Sequence, residues 1–405
     1  MGTYLNPGKD AYQEAIRSKI YIDKSEMIQY LNSVVKTKQK YVSVSRPRRF
    51  GKTMAVDMVC AYYGKDADSR ELFEKRKLAL CDPFQTEENE ICWDTYLGKF
   101  DVIRLVMTKF IDKKKTVTEA LSDMQLLVIR EIKKAYPDQD YFNDKDLMQT
   151  IEDVYSENGG QVVLVIDEWD AVFRERPNDK DGQAEYLDFL RDLMKDNRYI
   201  ALAYMTGILP IKKYGKHSAL NMFTEYSMMF PRQLAQYTGF TEDEVQMLCK
   251  RFGRDYESIS AWYDGYHVSD IVPPDPDHKK LRETGYPPKA ARYALYSPLS
   301  VVEAITTGVI KNYWNQTETY EALAEYIRRD YDGLKDAVAL LMDGGQVVID
   351  TSTFQNDMTT VRYHDDVLTL LVHLGYLGYD DEKSAVFIPN REILDAFKTS
   401  IHSPE

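Results

Sequence analysis

The stretch SVSRPRRFGKT, residues 43–53, closes on Gly51, Lys52 and Thr53, the residue types that a phosphate-binding loop needs at its end. The glycine lets backbone approach phosphate oxygens, the lysine reaches the β and γ phosphates, and the hydroxyl ligates magnesium. The full pattern, GxxxxGK[ST], wants a further glycine where Arg46 stands. Pro47 bears on that gap. A residue before proline is driven into extended geometry, so Arg46 can continue a strand without the ~1–2 kcal/mol left-handed penalty of a non-glycine residue. Pro47 also removes a backbone donor, and Arg48 and Arg49 are placed to offset it with side-chain contacts to phosphate. Taken alone, RPRRFGKT is better read as a solvated basic turn, and a partner motif is needed.

VVLVIDE, residues 162–168, supplies one: a five-residue apolar run ending in two acids. Asp167 would hold magnesium, directly or through water, and Glu168 would polarise an attacking water as general base. Charge at the start of the next helix explains Asp170 better than it explains Asp167. Thr206, at the end of the next apolar run, is a candidate sensor for the γ phosphate; the competing reading is a turn residue before Gly207.

These residues need strands that end at the site. YVSVS (41–45) is a β-branched run, and GKTMAVDMVCAYYG behind it has helical spacing, so the GK pair falls at a strand-to-helix turn. FDVIRLVMTKF (100–110) and YIALAYMTGIL (199–209) read as further strands, and 116–136 and 145–157 as helices. QVVLVIDEWD (161–170) is apolar throughout, as expected of a parallel strand buried on both faces. Strands separated by helices imply an α/β layered architecture. After about residue 238 the chain is expected to become mainly helical, with capping boxes at Thr241/Glu244 and Ser300/Glu303. VPPDPDHKKLRETGYPPKAARYALYSP reads as a long exposed insertion with six prolines. Beyond it, a helix running into Gly375, a hairpin through SAVFIP and a last helix from Asn390 suggest a winged helix. The expected domains are therefore 1–238, 239–299 and 300–405.

At 405 residues, with 44% hydrophobic and 29% charged residues, the composition is that of a soluble globular protein, and no apolar run approaches a membrane span. A polar N-terminus and four scattered cysteines lead to the expectation of a reduced, cytoplasmic protein. A net charge of −13 argues against a general nucleic-acid footprint, although residues 36–52 hold seven basic residues and no acidic one.

In order along the chain, YIDKSEMI, SRPRRFGKT, VVLVIDEWD, MTGIL, GFTEDEV, WYDGYHV, YSPLS, NYWNQT, LGYL and IPNREI resemble the bacterial AAA-ATPase-like family over nearly the whole length. The resemblance implies a P-loop NTPase with a parallel-sheet core of the additional-strand type, followed by a helical region and a winged-helix-like C-terminal domain. It implies nucleotide contact by Arg46, Pro47, Arg48, Arg49, Phe50, Gly51, Lys52 and Thr53, with Asp167 and Glu168 as the acid pair and ATP with Mg2+ as cofactors. Such proteins frequently continue into a restriction-endonuclease-like domain; this chain ends soon after IPNREI, so no nuclease is expected. Tyr263, Asp264, Gly265 and Tyr266 match a family motif, yet aromatics beside a tight turn are more often packing than catalysis.

The expected function is an ATPase whose nucleotide state acts on a protein or nucleic-acid partner through the C-terminal domain, with ATP and ADP as ligands, no membrane, and oligomerisation open. Arg48, Arg49 or an arginine from another subunit would steady the transition state. The rivals are a slow-turnover nucleotide switch and a DNA-associated scaffold.

Overall fold

The computed structural model describes residues 2–86, 90–111, 114–211, 220–270, 291–314, 331–355, 361 and 363–402. The chain divides into two units: Met1–Val44 with Lys52–Glu225, and Ser45–Gly51 with Tyr226–Gln355 and Thr360–Glu405.

The first unit begins with helices α1 (Asp10–Arg17) and α2 (Met27–Val34), strand β1 (Tyr41–Ser45), helix α3 (Lys52–Tyr63) and the short α4 (Arg70–Phe73). A small hairpin, β2 (Phe84–Gln85) and β3 (Glu90–Ile91), precedes β4 (Asp101–Val106), α5 (Val117–Ala135) and α6 (Leu147–Asn158). Then come β5 (Val162–Asp167), α7 (Ala171–Glu175), α8 (Lys180–Met194), β6 (Ile200–Gly207) and β7 (Thr224–Tyr226). The expected strands and helices of this half therefore form. The α5 helix starts at a capping box between Thr116 and Glu119, and α6 at the Asp146 side chain, which accepts from Gln149 N.

The main sheet runs β4-β5-β6-β1-β7. Strands β4, β5 and β6 are parallel, with Val106 opposite Asp167 and Ile166 opposite Met205. Every residue of β5 and β6 is buried, which is what their uninterrupted apolar runs required. Helix α3 packs against β4, β5 and β6. Because β6 stands between β1 and β5, the glycine-lysine turn after β1 and the acid pair after β5 come from strands that are not neighbours. The register brings the C-terminal ends of β4, β5 and β6 level, and it is there that the candidate residues collect. Among the described residues no helix is long and apolar enough to cross a membrane.

The second unit contains β8 (Phe240–Thr241), α9 (Glu242–Phe252), α10 (Tyr256–Tyr263), β9 (Tyr266–Asp270), β10 (Ala291–Tyr296) and α11 (Pro298–Thr307). It continues with α12 (Leu334–Met342), β11 (Val347–Val348), α13 (His364–Leu374), β12 (Gly378–Asp380), β13 (Ala385–Phe387) and α14 (Arg391–His402). The stretch after residue 238, expected to be mainly helical, also carries a three-stranded antiparallel sheet in the order β8-β10-β9. Its strands are short, and their pairing partners lie 21 to 56 residues apart in sequence, so local periodicity did not reveal them. The proline-rich insertion falls between β9 and β10, and residues 271–290 of it lie outside the described residues. A second antiparallel sheet, β11-β13-β12, includes the expected C-terminal hairpin.

The capping box at Thr241 and Glu244 is present, whereas the one expected at Ser300 and Glu303 is not. Helix α11 starts earlier, with Ser297 at its N-cap position and Pro298 inside its first turn. Ser300 instead donates to buried Glu392 at 2.7 Å. The other oxygen of Glu392 accepts from the backbone of Tyr313 at 2.6 Å and Trp314 at 3.0 Å. One carboxylate thus ties together YSPLS, NYWNQT and IPNREI. Gly265 of WYDGYHV has φ +135°, and a Cβ there would sit 1.7 Å from the Pro389 carbonyl oxygen, so only glycine fits. Tyr263 and Tyr266 are buried, and the aromatic motif is spent on packing.

Glu392→Ala would leave two buried amides and a hydroxyl without an acceptor, and is expected to cost about 3–5 kcal/mol. Urea unfolding followed by tryptophan fluorescence checks this; an unchanged midpoint would show that the carboxylate is dispensable.

Candidate functional site: a phosphate loop and an acid pair

The loop from Arg46 to Gly51 joins β1 to α3. Arg46 is not among the residues with positive φ, so the missing glycine of the pattern costs no left-handed strain. Left-handed backbone occurs instead at Arg49 (φ 69°) and Gly51 (φ 86°). The Arg46 side chain is fully buried and donates from Nη1 to the carbonyls of Ser45 (2.9 Å) and Tyr226 (2.8 Å). Its guanidinium braces the loop, which leaves its backbone as what it can offer a ligand. Phe50 is likewise buried, edge-on to Tyr266 with centroids 5.5 Å apart, and its carbonyl accepts from Gly239 N at 3.0 Å. Arg48 is half-buried and Arg49 exposed. Among the described residues, a Cβ at Gly51 would meet nothing within 4 Å.

In the first unit, Lys52 and Thr53 open α3, with Lys52 buried and Thr53 exposed. Thr53 Oγ1 donates to Asp167 Oδ2 at 3.1 Å, and Thr206 Oγ1 donates to the other oxygen, Oδ1, at 2.5 Å. Asp167 and Thr206 are both buried, so the sequence-predicted hydroxyls converge on one carboxylate. Glu168 follows with φ 54°, a conformation that costs a non-glycine residue roughly 1–3 kcal/mol and turns the chain sharply off the strand. Its Oε2 accepts a short hydrogen bond from Thr108 Oγ1, just past the end of β4.

The turn after Glu168 is stitched to the end of β6. Trp169 N donates to Thr206 O at 2.9 Å, and Trp169 Nε1 to Leu209 O at 3.2 Å. Asp170 occupies the N-cap position of α7 but makes no capping bond. Its carboxylate accepts from the amides of Ile208 (3.1 Å) and Leu209 (3.0 Å) and from Arg174 Nε (3.2 Å). The helix-start role expected of Asp170 is therefore replaced by one that fixes the residues following Thr206. Sequence reading passed over Thr108 and Arg174. The one available signal for Thr108 was its position at the end of a strand that pairs with β5.

Burial pushes the Lys52 amine down to about 8 from 10.5; the acids Asp170, Asp167 and Glu168 oppose the shift, and Arg174 adds to it. Below pH 8 both folded and unfolded chains hold the proton, and the full cost of burying the charge is present. Between about 8 and 10.5 the unfolded chain binds the proton that the folded chain has lost, so stability rises with pH in that window. Lys52→Met is expected to stabilise the ligand-free protein at pH 7 by on the order of 3 kcal/mol and to flatten that rise. Thermal unfolding from pH 7 to 10.5 tests it; a destabilised variant at pH 7 would contradict it.

Divalent magnesium takes hard oxygen donors and usually one or two carboxylates plus substrate phosphates, so it needs no protein cage. Thr53 and Asp167 fit that donor set, and the buried amine of Lys52 fits a polyphosphate.

A sequence profile described as predicted AAA-ATPase matches residues 8–215. No curated protein matches the chain. Among solved structures, the ORC2 protein of Aeropyrum pernix in ADPNP–ADP complexes is 12% identical, with a TM-score of 0.31, over 95% of this chain and 96% of that one. The ORC1 protein of the same organism in complex with DNA is 12% identical, with a TM-score of 0.30, over 98% of this chain and 97% of that one. Likenesses this distant carry no weight for fold or ligand. The profile match, by contrast, runs from ahead of α1 to beyond β6 and takes in just over half of the 405 residues, so the chain is a member of the predicted AAA-ATPase family.

Proposed function

We propose that the protein binds ATP with Mg2+ along Arg46–Thr53 and hydrolyses it, using the change of nucleotide state to act on a partner. The observation that carries this reading is the convergence of Thr53 and Thr206 on Asp167, with the buried Lys52 in the same charge cluster. The backbone of Arg46–Gly51 would cradle the phosphates, with Arg48 and Arg49 adding charge. Lys52 would donate to the β and γ phosphates, and Thr206 would sense the γ phosphate through Asp167. Thr53 and Asp167 would hold Mg2+, which when bound supplies charge neutralisation at the phosphates. Glu168, set on a sharp turn at the strand end, would take a proton from the attacking water at its carboxylate.

The bond from Thr108 to Glu168 favours a second reading, a slow-turnover switch, because it occupies a carboxylate oxygen that would otherwise orient the attacking water. Phosphate release separates the two: a hydrolase gives many phosphates per chain, a switch about one.

The elements α12, α13 and the β12–β13 hairpin support a winged-helix-like reading of the C-terminal region. Residues 360–405 hold eight Asp and Glu against four Lys and Arg, which favours a protein partner over a phosphate backbone and weakens the DNA-scaffold reading.

A further inference from the structure

Arg174 lies four residues past Asp170 on α7, and its side chain is only 10% exposed. Its Nε is spent on Asp170, while among the described residues its Nη2 is buried without a hydrogen-bond partner. Asp170 is fully buried too, and its Oδ1 also lacks a partner among the described residues. A guanidinium is charged at every working pH and carries five donors in a rigid fork. A buried donor of this kind left without an acceptor is costly, and such groups call for an explanation, an unoccupied anion site being one. The nearby chemistry supplies the anion: Asp170 accepts from the amides of Ile208 and Leu209, directly past Thr206, whose hydroxyl meets that of Thr53 on Asp167, and the charges of Asp170 and Arg174 both act on the Lys52 amine. Lys52 and Arg174 therefore share a carboxylate counter-ion, and an anion seated at Lys52 lies within the field of both cations.

We infer that Arg174 is a second cation of the phosphate site, supplied by the same chain, and that its free Nη2 donates to a terminal phosphate oxygen of a bound nucleoside triphosphate. Asp170 holds the guanidinium by Nε and orients the fork. A donor to the terminal phosphate is one that a diphosphate does not use, so on this inference Arg174 separates triphosphate from diphosphate. The inference rests on the nucleotide-binding reading proposed above.

The test is calorimetric titration of the full chain with ADP and with the imido analogue of ATP, both with Mg2+, for the native protein, Arg174→Met and Arg174→Lys. Loss of a charge-assisted bond predicts that Arg174→Met binds the triphosphate analogue about 10- to 100-fold more weakly while ADP changes by less than about 3-fold. Arg174→Lys keeps a cation for Asp170 without the forked second donor, and is expected to fall between the two. Thermal unfolding without nucleotide reports any loss of packing separately, and the lysine variant carries the test if the methionine variant does not fold. Equal weakening of both nucleotides, or of neither, while the native protein binds them in a Lys52-dependent way, overturns the inference and leaves the proposed function standing. Failure of the native protein to bind either nucleotide overturns the proposed function, and this inference with it.

Discussion

Lys52→Ala is expected to weaken Mg2+-ATP binding by about 100-fold or more, the loss of two charge-assisted phosphate contacts at roughly 1.5–3 kcal/mol each. The loss should not come from unfolding. Lys52 is buried, and burial holds its amine near 8, so the ligand-free fold gains when the charge is removed. Tight binding with a destabilised fold is the opposite pattern, and equilibrium titration together with thermal unfolding of the same variant tells the two apart. A lysine that costs the empty protein stability is most simply explained by a ligand that repays the cost, and a polyphosphate is the ligand whose charge the site fits.

Glu168→Gln is expected to bind ATP within a few-fold of the native protein while steady phosphate release falls by about 10²- to 10⁴-fold, the range for losing a positioned proton acceptor. The substitution keeps the shape of the side chain and an oxygen that can still accept from Thr108, so the sharp turn at φ 54° should survive. The outcome separates Glu168 from Asp167, whose oxygens are already committed to the Thr53 and Thr206 hydroxyls. An equal loss of binding and turnover would make Glu168 a structural residue of the turn. Unchanged turnover would move the base elsewhere.

The strands that build the site were legible because each is buried along its length and therefore written as a β-branched or largely apolar run: 41–45, 162–167 and 200–207. Helix α5 was legible from its period and its capping box. The types and order of Gly51, Lys52, Thr53, Asp167 and Glu168 point to phosphate chemistry in the sequence alone, since that chemistry needs those residues at strand ends. What the sequence did not disclose depends on contacts distant along the chain. Arg46 reads as a phosphate ligand, but its guanidinium reaches a carbonyl 180 residues away. Ser300 reads as a helix cap, but a carboxylate 92 residues away takes its hydroxyl. Asp170 reads as a favourable charge at a helix start, but two amides beyond β6 claim it. Thr108 meets Glu168 only because β4 and β5 pair in parallel with their ends level. The β8-β10-β9 sheet was missed for the same reason, β9 and β10 being separated by the insertion and β8 and β10 by a helix pair, β9 and the insertion.

The central proposal is that Lys52, Thr53 and the acid pair form a nucleotide site, and calorimetric titration of the intact chain with ATP in the presence and absence of Mg2+ tests it most directly. The predicted result is saturable binding of one ATP per chain, tighter with Mg2+ and lost in Lys52→Ala. No detectable binding at millimolar ATP, or binding that Lys52→Ala leaves untouched, would contradict it and return SRPRRFGKT to a basic turn that braces the fold.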